Sequence, residues 1–406
     1  MPSRTLETTL DHEGFLVRQG RRSGLPVIIA IHSTRLGPAV GGMRIARYDS
    51  PADALVDCLR LSRGMTYKAA AVRNGTGGGK TVVPLLPGGP QRLDGQLREA
   101  LLLDVAELVH ELNGAYYVAP DVGTSSADIQ LMRRRTPYVG GYSATDDGLG
   151  ATTFGTAAGV EQAMNATAAH LWGAPHLRGR DVVVIGFGGV GHELTKRLLA
   201  QGAHVRATDV DPERRSAVET SGAQWVELDG AYTLQTDILA PCALGGVLTS
   251  ELVDSLRCRA IVGSANNQLA HDTVAQDLAK ARITWAPDFV ANAGGVMYAS
   301  GLELQQLTPA QSLQRLASIE EATTRILEDS ANEEATSLAV AYRLAEDVLT
   351  AAGSHQSNGN TSVPLDAIPR NSSTKAPLSP DGSHCAAHFS CDIGMWDPLH
   401  QCGSGG

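Results

Sequence analysis

Two lysines close together in the chain are the residues best suited to chemistry. Lys68 lies in a run from Ala52 to Val72 whose apolar residues recur at helical spacing, so its charge interrupts an apolar helix face. The ammonium must either extend to water or meet a buried anion, because an isolated buried charge costs several kcal/mol. Lys80 directly follows the glycine run 77–79, which is typical of a flexible turn but also leaves room for a ligand beside a cation. The spacing therefore allows two ammonium groups to converge on one small site.

Asp121 is the third candidate for chemistry. It follows the predicted strand 115–119, and α/β folds place ligand groups just after the carboxyl ends of strands. A carboxylate here could instead cap the helix predicted to begin near Ser126, but Thr124 and Ser125 lie closer to that helix. We favour a functional role for Asp121.

The elements around these residues alternate between strand and helix. Apolar and β-branched runs bounded by turn residues predict strands at 14–18, 25–31, 42–46, 80–85 and 115–119, with helices at 52–72 and about 93–112. A segment rich in Gly, Ser, Thr and Asp at 138–153 then leads into a predicted helix at 153–172 and is a plausible hinge. The alternation predicts an α/β domain over residues 1–150.

A glycine-rich turn gives the clearest cofactor signal. The apolar strand 181–185 runs directly into Gly186-Phe187-Gly188-Gly189-Val190-Gly191 and an amphipathic helix, which is the required context of a dinucleotide fingerprint. In such a fingerprint the first glycine allows the turn, the second admits the pyrophosphate, and the third lets helix and sheet pack closely. A second predicted strand, 203–208, ends at Asp209, where a carboxylate would accept hydrogen bonds from the ribose.

The cofactor is expected to be NAD. Asp209 would repel the 2′-phosphate of NADP, although Arg214 and Arg215 lie a few residues further on and leave some room for NADP. Later strand ends at about 228, 241, 264 and 287 are followed by small or polar residues that either line a nicotinamide pocket or only close turns. The candidate cofactor-binding residues are Gly186, Gly188, Gly189, Val190, Gly191, Asp209, Cys242, Ala243, Asn266 and Asn292.

Composition narrows the class of protein. The chain has 406 residues, 43% hydrophobic and 19% charged, with a formal net charge of −10, which argues against nucleic acid or an anionic membrane surface as a partner. No run of about 18 apolar residues occurs, and the first 13 residues are polar, so we expect a cytoplasmic enzyme. Three of the six cysteines are scattered through the body of the chain and three crowd into its last residues, which is not the pattern of a disulfide framework.

The length suggests more than one domain. We predict a Rossmann domain at 151–305, C-terminal helices at 306–352 that pack back near the hinge, and a disordered tail at 353–406, where Ser, Asn, Gly and Pro dominate. The tail holds His384, Cys385, His388, Cys391, His400 and Cys402. Their spacing matches no zinc-binding pattern, so we expect no metal site.

Together these motifs resemble the leucine, valine and phenylalanine dehydrogenase branch of the Glu/Leu/Phe/Val amino-acid dehydrogenase family. The resemblance runs from about Val27 to Leu349. It is carried by the 186–191 fingerprint and by the segments 36–42, 63–80, 119–124, 240–246, 263–268 and 286–290. It implies an α/β fold of two domains, an N-terminal substrate domain and a C-terminal Rossmann domain, with the active-site cleft between them. It also implies a homo-oligomer that acts on small molecules.

The family's functional residues fall on matching positions of this chain. The resemblance makes Lys68 the partner of the substrate carboxylate and makes Lys80 and Asp121 catalytic, in a reversible NAD-dependent oxidative deamination of an L-amino acid to a 2-oxo acid and ammonia. Asn266 and Asn267 match positions that contact substrate or nicotinamide. The remaining substrate-binding candidates are Val40, Gly41, Gly42, Ala119, Val290 and Val296, whose apolar or absent side chains imply a branched-chain or aromatic substrate.

Two other functions stay open at this point. One is reductive amination of an unusual 2-oxo acid in a specialised biosynthetic pathway. The other is a non-catalytic dinucleotide-binding protein, against which the retention of Lys68, Lys80 and Asp121 argues, because nucleotide binding needs none of them.

Overall fold

The computed structural model of the protein describes residues 11–356, apart from 91, 146 and 147, and these residues form two β-sheets flanked by helices. The first sheet contains β1 (Gly14–Gln19), β2 (Pro26–Ser33), β3 (Ala39–Arg47), β4 (Gly77–Leu85) and β5 (Tyr116–Pro120). The second contains β6 (Asp181–Ile185), β7 (His204–Thr208), β8 (Gln224–Trp225), β9 (Ile238–Pro241), β10 (Ala260–Ile261) and β11 (Thr284–Trp285). Helices before the second sheet are α1 (Pro51–Ala71), α2 (Gly95–Glu111), α3 (Ser126–Met132) and α4 (Ala151–Trp172). Those that follow are α5 (Gly189–Ala200), α6 (Arg215–Thr220), α7 (Ser250–Val253), α8 (Val274–Lys280), α9 (Asp288–Ala291), α10 (Gly294–Glu303), α11 (Pro309–Gln314), α12 (Ala317–Glu333) and α13 (Ser337–Gln356).

The register of the first sheet places three parts of the chain side by side. Its strand order is β1-β2-β4-β3-β5, with β3 parallel to both β4 and β5 and with β2 antiparallel to β1 and β4. Met43 on β3 pairs with Thr81 on β4 and with Pro120 on β5. Lys80 directly precedes Thr81, and Asp121 directly follows Pro120. The register therefore brings these two residues, distant in sequence, close together on either side of β3.

The second sheet has the doubly wound arrangement that the fingerprint predicts. Its order is β11-β10-β9-β6-β7-β8, and every neighbouring pair is parallel. The chain proceeds outward from β6 through β7 to β8, then returns to the other side of β6 at β9. The crevice between β6 and β9 is therefore the switch point at which such folds bind dinucleotides.

Helix α1 has two apolar faces, where the sequence suggested a single stripe. Ser50 caps the helix by accepting a hydrogen bond from the backbone N–H of Asp53 (3.2 Å). One face buries Cys58, Leu59, Ser62, Thr66 and Ala69 to Ala71 against the first sheet and neighbouring elements. The predicted stripe turns out to be divided: Cys58 is buried, whereas Leu61, Met65 and Lys68 line a cleft. Lys68 thus interrupts a cleft-facing row and not a core-facing one.

The glycine run before Lys80 forms neither a flexible turn nor a space for ligand. Gly77, Gly78 and Gly79 belong to β4, which lies inside the sheet between β2 and β3. A Cβ atom on Gly78 would overlap the backbone N–H of Thr66 on α1, and one on Gly79 would lie 2.6 Å from the Tyr116 ring. The glycines therefore let helix and strands approach closely, and this packing corrects both sequence interpretations.

The C-terminal part of the described chain is helical as far as Gln356. The C-terminal helices predicted at 306–352 are α11, α12 and α13, and α13 continues beyond residue 352, where the tail was predicted to begin. Residues 357–406, including the tail cysteines and histidines, lie outside the described residues. Both sheets belong to one compact unit, and the boundaries predicted at 150, 305 and 352 stay predictions.

The packing of α1 on β4 can be tested with two matched changes. Gly78→Ala should lower the free energy of unfolding by about 1–3 kcal/mol, because its Cβ overlaps the α1 backbone. Gly64→Ala on α1, where a Cβ meets nothing within 4 Å, should instead raise it by up to about 1 kcal/mol through helix propensity. Urea unfolding followed by circular dichroism measures both, and equal effects would contradict the packing described here.

Candidate active site

A cleft of about 650 Å³ lies between the two sheets. The first sheet, α1 and the residue after β5 contribute the cationic groups and Asp121, whereas the second-sheet side and the C-terminal helices contribute amides, apolar groups and the carboxylates of Asp272, Asp288, Glu303 and Glu346. Of the residues predicted from sequence, those that line the cleft are Val40, Gly41, Gly42, Lys68, Lys80, Ala119, Asp121, Asn266, Asn267, Asn292 and Val296.

Lys80 and Asp121 form an ion pair within this cleft. The Nζ of Lys80 donates to Oδ2 of Asp121 at 2.9 Å, and the Lys80 residue is only 5% exposed. The Asp121 backbone is fixed separately, because its N–H donates to the Thr124 hydroxyl (2.8 Å). The cap of α3 is Ser125, which accepts from the N–H of Asp128, so Asp121 has no capping role.

Burial and neighbouring charges shift both groups of this pair. Desolvation lowers the pKa of the Lys80 ammonium below its usual value, although Asp121 opposes that shift. Desolvation by itself would raise the pKa of Asp121, but Lys80 and Arg44 outweigh it and the net pKa is lowered. The pair therefore combines an ionised carboxylate with an amine that loses its proton more readily than an exposed lysine.

Gly42 allows the Asp121 side chain to lie where it does. A Cβ on Gly42 would be 2.6 Å from the Cβ of Asp121, and one on Gly41 would overlap the backbone carbonyl of Gly79. Gly42 thus leaves room for the Asp121 side chain, and Gly41 allows β3 to pair closely with β4.

Lys68 reaches the same cleft from α1. Its Nζ donates to Oδ1 of Asn266 at 3.3 Å, and that oxygen also accepts from Nδ2 of Asn292 at 2.8 Å. Desolvation, together with the charge of Lys80, lowers the pKa of Lys68 to about 8 against the opposing charges of Asp288 and Asp121. Among the described residues this ammonium makes no hydrogen bond to a carboxylate, so it is available to an anionic ligand.

The turn that carries Asn266 is fixed by a buried carboxylate. Asp288 is 7% exposed and accepts from the backbone N–H of Gln268 at 3.1 Å. Asn267 adopts a left-handed backbone conformation with φ of 52°. The predicted asparagines therefore close a turn and at the same time face the cleft.

One predicted residue does not line the cleft, and others were missed. Val290 is fully buried on α9 and is not among the residues that line the cleft, and its assignment to substrate binding stays a prediction. Met65 and Ala299 line the cleft but carry no chemical signal in sequence. Arg44 was also missed, although strand alternation places it on the same face of β3 as Gly42.

The candidate cofactor residues gather at the carboxyl edge of the second sheet. Gly186 has φ of 104°, and a Cβ there would lie 2.7 Å from the Cβ of Ala243 after β9. A Cβ on Gly191 would overlap the carbonyl of Gly186, whereas one on Gly188, the N-cap of α5, would meet nothing within 4 Å. The turn is thus tightly packed at Gly186 and Gly191 but open at Gly188. Open backbone at a helix N-terminus fits a pyrophosphate.

Asp209 follows β7 and contacts this turn directly. Its Oδ2 accepts from the backbone N–H of Phe187 at 2.6 Å, and its Oδ1 accepts from the N–H of Asp211 at 3.0 Å. Val210 and Leu244, at 75% and 73% exposed, are the most exposed large apolar residues of the described chain, and both lie just after strands of this edge. A carboxylate flanked by apolar surface fits an adenosine ribose and its base.

Comparison with known proteins identifies the family. The pattern of the Glu/Leu/Phe/Val dehydrogenase dimerisation domain matches residues 12–138, and that of the glutamate/leucine/phenylalanine/valine dehydrogenases matches 208–356. The NAD-binding domain of D-isomer specific 2-hydroxyacid dehydrogenases matches 152–256. The chain belongs to the Glu/Leu/Phe/Val dehydrogenase family.

Individual relatives agree with this assignment. The chain is 42% identical to a valine dehydrogenase of Streptomyces albus, over 82% of this chain and 91% of that protein. It is 38% identical to a leucine dehydrogenase of Thermoactinomyces intermedius, over 83% and 90%. The crystal structure of an L-tryptophan dehydrogenase from Nostoc punctiforme superimposes with a TM-score of 0.73 at 34% identity, covering 85% of this chain and 97% of that one.

The protein is therefore an NAD-dependent amino-acid dehydrogenase. The family, the two-domain α/β fold, the enzyme class and NAD as cofactor, all expected from sequence, are confirmed. Across the described helices, none is both long and apolar enough to cross a membrane.

The contact between Asp209 and the glycine turn can be tested by cofactor binding. Asp209→Asn should weaken NAD about tenfold, because hydrogen bonds to an ionised acceptor contribute about 1.5–3 kcal/mol. It should also narrow the preference for NAD over NADP, since the repulsive charge is lost. Isothermal titration calorimetry measures both constants. Asp211→Asn, a change in an exposed carboxylate two residues away, is the control and should leave both constants unchanged.

Proposed function

We propose that this protein catalyses the reversible NAD-dependent oxidative deamination of an apolar L-amino acid to a 2-oxo acid and ammonia. The observation that carries the proposal is the convergence of two features in one cleft: the Lys68 ammonium, which has no carboxylate hydrogen-bond partner among the described residues, and the desolvated ion pair of Lys80 with Asp121. An amino acid offers a carboxylate for the first and an ammonium for the second. These are the charges that the cleft would receive.

Lys68 would hold the substrate by its carboxylate. The ammonium has only an amide oxygen as a partner among the described residues, and a substrate carboxylate would supply a full negative charge at a partly desolvated site. This contact fixes the Cα of the substrate relative to Lys80 and Asp121. Positioning of this kind is a large part of catalysis.

Asp121 and Lys80 would move the protons. Ionised Asp121 would take a proton from the substrate ammonium, and the hydride on Cα would go to NAD when that cofactor is bound, which leaves an iminium group. Neutral Lys80 would take a proton from the water that adds to the iminium carbon and would release it to solvent. Asp121 would return its proton to the amino group, and Lys80 would take the hydroxyl proton as ammonia leaves and the carbonyl forms. The lowered pKa of Lys80 suits a group that must accept a proton near neutral pH.

The wall of the cleft favours an apolar side chain. Val40, Ala119 and Val296 line it as the sequence predicted, and Met65 and Ala299 add to the same surface. Relatives named valine, leucine and tryptophan dehydrogenase support the same substrate class. Discrimination among such side chains amounts to about 1–3 kcal/mol per methylene, so a range of apolar substrates is expected.

We also propose a homo-oligomer in the cytoplasm. β1 is an edge strand that exposes Phe15 (44%) and Val17 (54%), and the matching domain of the family is described as a dimerisation domain. The three cysteines within the described residues, Cys58, Cys242 and Cys258, are all unpaired, as is typical of a reducing compartment.

A panel of L-amino acids tests the reaction. With NAD, valine, leucine, phenylalanine or tryptophan should give NADH, measured by absorbance, and glutamate should give little. Lys80→Ala should lower kcat by about 10²–10⁴-fold, the usual contribution of a proton-transfer group. Lys196→Ala, which removes an exposed lysine on α5, is the control. Preferred turnover of glutamate, or full activity of Lys80→Ala, would refute the proposal.

The pH dependence of binding tests the role of Lys68. Its pKa of about 8 means that the charged form, and with it the affinity for a carboxylate, is lost as the pH rises above that value. The dissociation constant of 4-methyl-2-oxopentanoate, which has no amine to titrate, should therefore increase above about pH 8. In Lys68→Arg the cation persists, so the dissociation constant should stay flat over the same range. A wild-type constant that does not change with pH would exclude Lys68 as the carboxylate partner.

A further inference from the structure

Arg44 lies between two carboxylates at the edge of the cleft. Its Nε donates to Oδ2 of Asp121 at 2.9 Å, and its Nη1 donates to Oδ2 of Asp57 at 3.0 Å. The side chains of all three residues are about one-fifth exposed. Arg44 is therefore a bridge from α1, which carries Asp57, to the carboxylate paired with Lys80.

The hydrogen bonds to Asp121 are unevenly divided between its two oxygens. Lys80 and Arg44 both donate to Oδ2, each at 2.9 Å, and within the described residues no donor reaches Oδ1. Two cations on one oxygen fix the orientation of the carboxyl plane. The second oxygen, with its lone pairs, stays available.

Asp57 is in turn held in place by two other groups. Tyr48 donates its hydroxyl to Oδ2 of Asp57 at 2.7 Å, and Arg60, one turn further along α1, donates to Oδ1 at 2.8 Å. Asp57 thus has partners on both oxygens. Its position does not depend on Arg44 alone.

We infer that Arg44, fixed by Asp57, is a positioning residue that directs one oxygen of Asp121 towards the amino group of the substrate by holding the other oxygen together with Lys80. The inference rests on the proposed deamination, in which Asp121 exchanges protons with that amino group. A guanidinium suits the task because its fork contacts two carboxylates at fixed angles, which a lysine ammonium does not.

The charge of Arg44 also acts on both members of the ion pair. Arg44 lowers the pKa of Asp121 and lowers that of Lys80. The other titratable or charged groups that act on this pair or on Arg44 are Lys68, Asp57, Cys58, Tyr48 and Tyr116. Loss of the Arg44 charge would let the pKa values of Asp121 and Lys80 both rise.

Kinetics of three variants separate positioning from simple structural support. In Arg44→Gln, kcat for an apolar L-amino acid should fall about 10–100-fold with KM nearly unchanged, since Lys68 still binds the carboxylate. The pH profile of kcat/KM should move upward by about one pH unit. Arg44→Lys should restore the position of the profile, because the charge returns, but not the full kcat. Asp57→Asn should lower kcat less than Arg44→Gln does.

The control is another arginine that contacts two carboxylates. Arg22, in the turn between β1 and β2, contacts Asp104 (3.0 Å) and Glu107 (2.6 Å) of α2 and is not among the residues that line the cleft. Arg22→Gln removes a comparable bridge and should leave kcat, KM and the pH profile as in the wild type.

A second measurement does not require turnover. Carboxyl ¹³C NMR of aspartate-labelled protein, with the Asp121 signal assigned from Asp121→Asn, should show the pKa of Asp121 rising by about one pH unit in Arg44→Gln and not in Arg22→Gln. An unchanged Asp121 titration, or an Arg44→Gln variant with wild-type kcat and pH profile, would overturn the inference. If the wild type deaminates no amino acid, the proposed function falls, and the NMR titration still decides whether Arg44 controls Asp121.

Discussion

The ion pair between Lys80 and Asp121 is the interaction on which the rest of the site depends. An ammonium on a residue only 5% exposed is stable only with its partner, since removal of one member of a buried pair typically costs about 3–5 kcal/mol. Lys80 belongs to β4 and Asp121 directly follows β5, and β3 lies between these two strands. The pair therefore exists only when β3 has the correct register with both neighbours, and Gly42 on β3 must lack a side chain for the carboxylate to approach.

Helix α1 connects this pair to everything else that faces the cleft. It packs so closely on β4 that Gly78 has no room for a Cβ, and this contact sets the height of the helix above the sheet. From that position α1 presents Lys68 to Asn266, which belongs to the second sheet's side of the cleft, and Asp57 to Arg44. The packing of α1 on β4 thus sets the position of Lys68, the proposed partner of the substrate carboxylate, relative to Lys80 and Asp121, the pair proposed to transfer protons.

Features of the fold and site could be predicted from sequence where the residues that define them are contiguous in the chain. The 186–191 turn was predicted correctly because strand, glycines and helix are contiguous, and the switch point follows from them. The run Gly77 to Gly79 was misinterpreted because nothing local distinguishes a turn from an inner strand that accommodates a helix. Val290 was assigned to the cleft from the family resemblance, and the tertiary packing buries it fully on α9. Strand alternation alone did not single out Arg44, because its partners, Asp57 and Asp121, come from different elements.

The two lysines of the cleft suit the different roles proposed for them because only Lys80 has a carboxylate partner at hydrogen-bonding distance among the described residues. Desolvation lowers the pKa of both lysines. For Lys80, Asp121 at hydrogen-bonding distance opposes this shift. For Lys68, only the more distant Asp288 and Asp121 oppose the shift, and the charge of Lys80 adds to it. A substrate carboxylate on Lys68 would reverse that imbalance. The substrate carboxylate would raise the pKa of Lys68 and keep this lysine charged. The substrate ammonium beside Asp121 would at the same time make the Asp121 carboxylate less able to stabilise the proton on Lys80. Binding of a zwitterionic amino acid is thus expected to move the two pKa values apart, so that one lysine stays a cation and the other becomes free to act as a base.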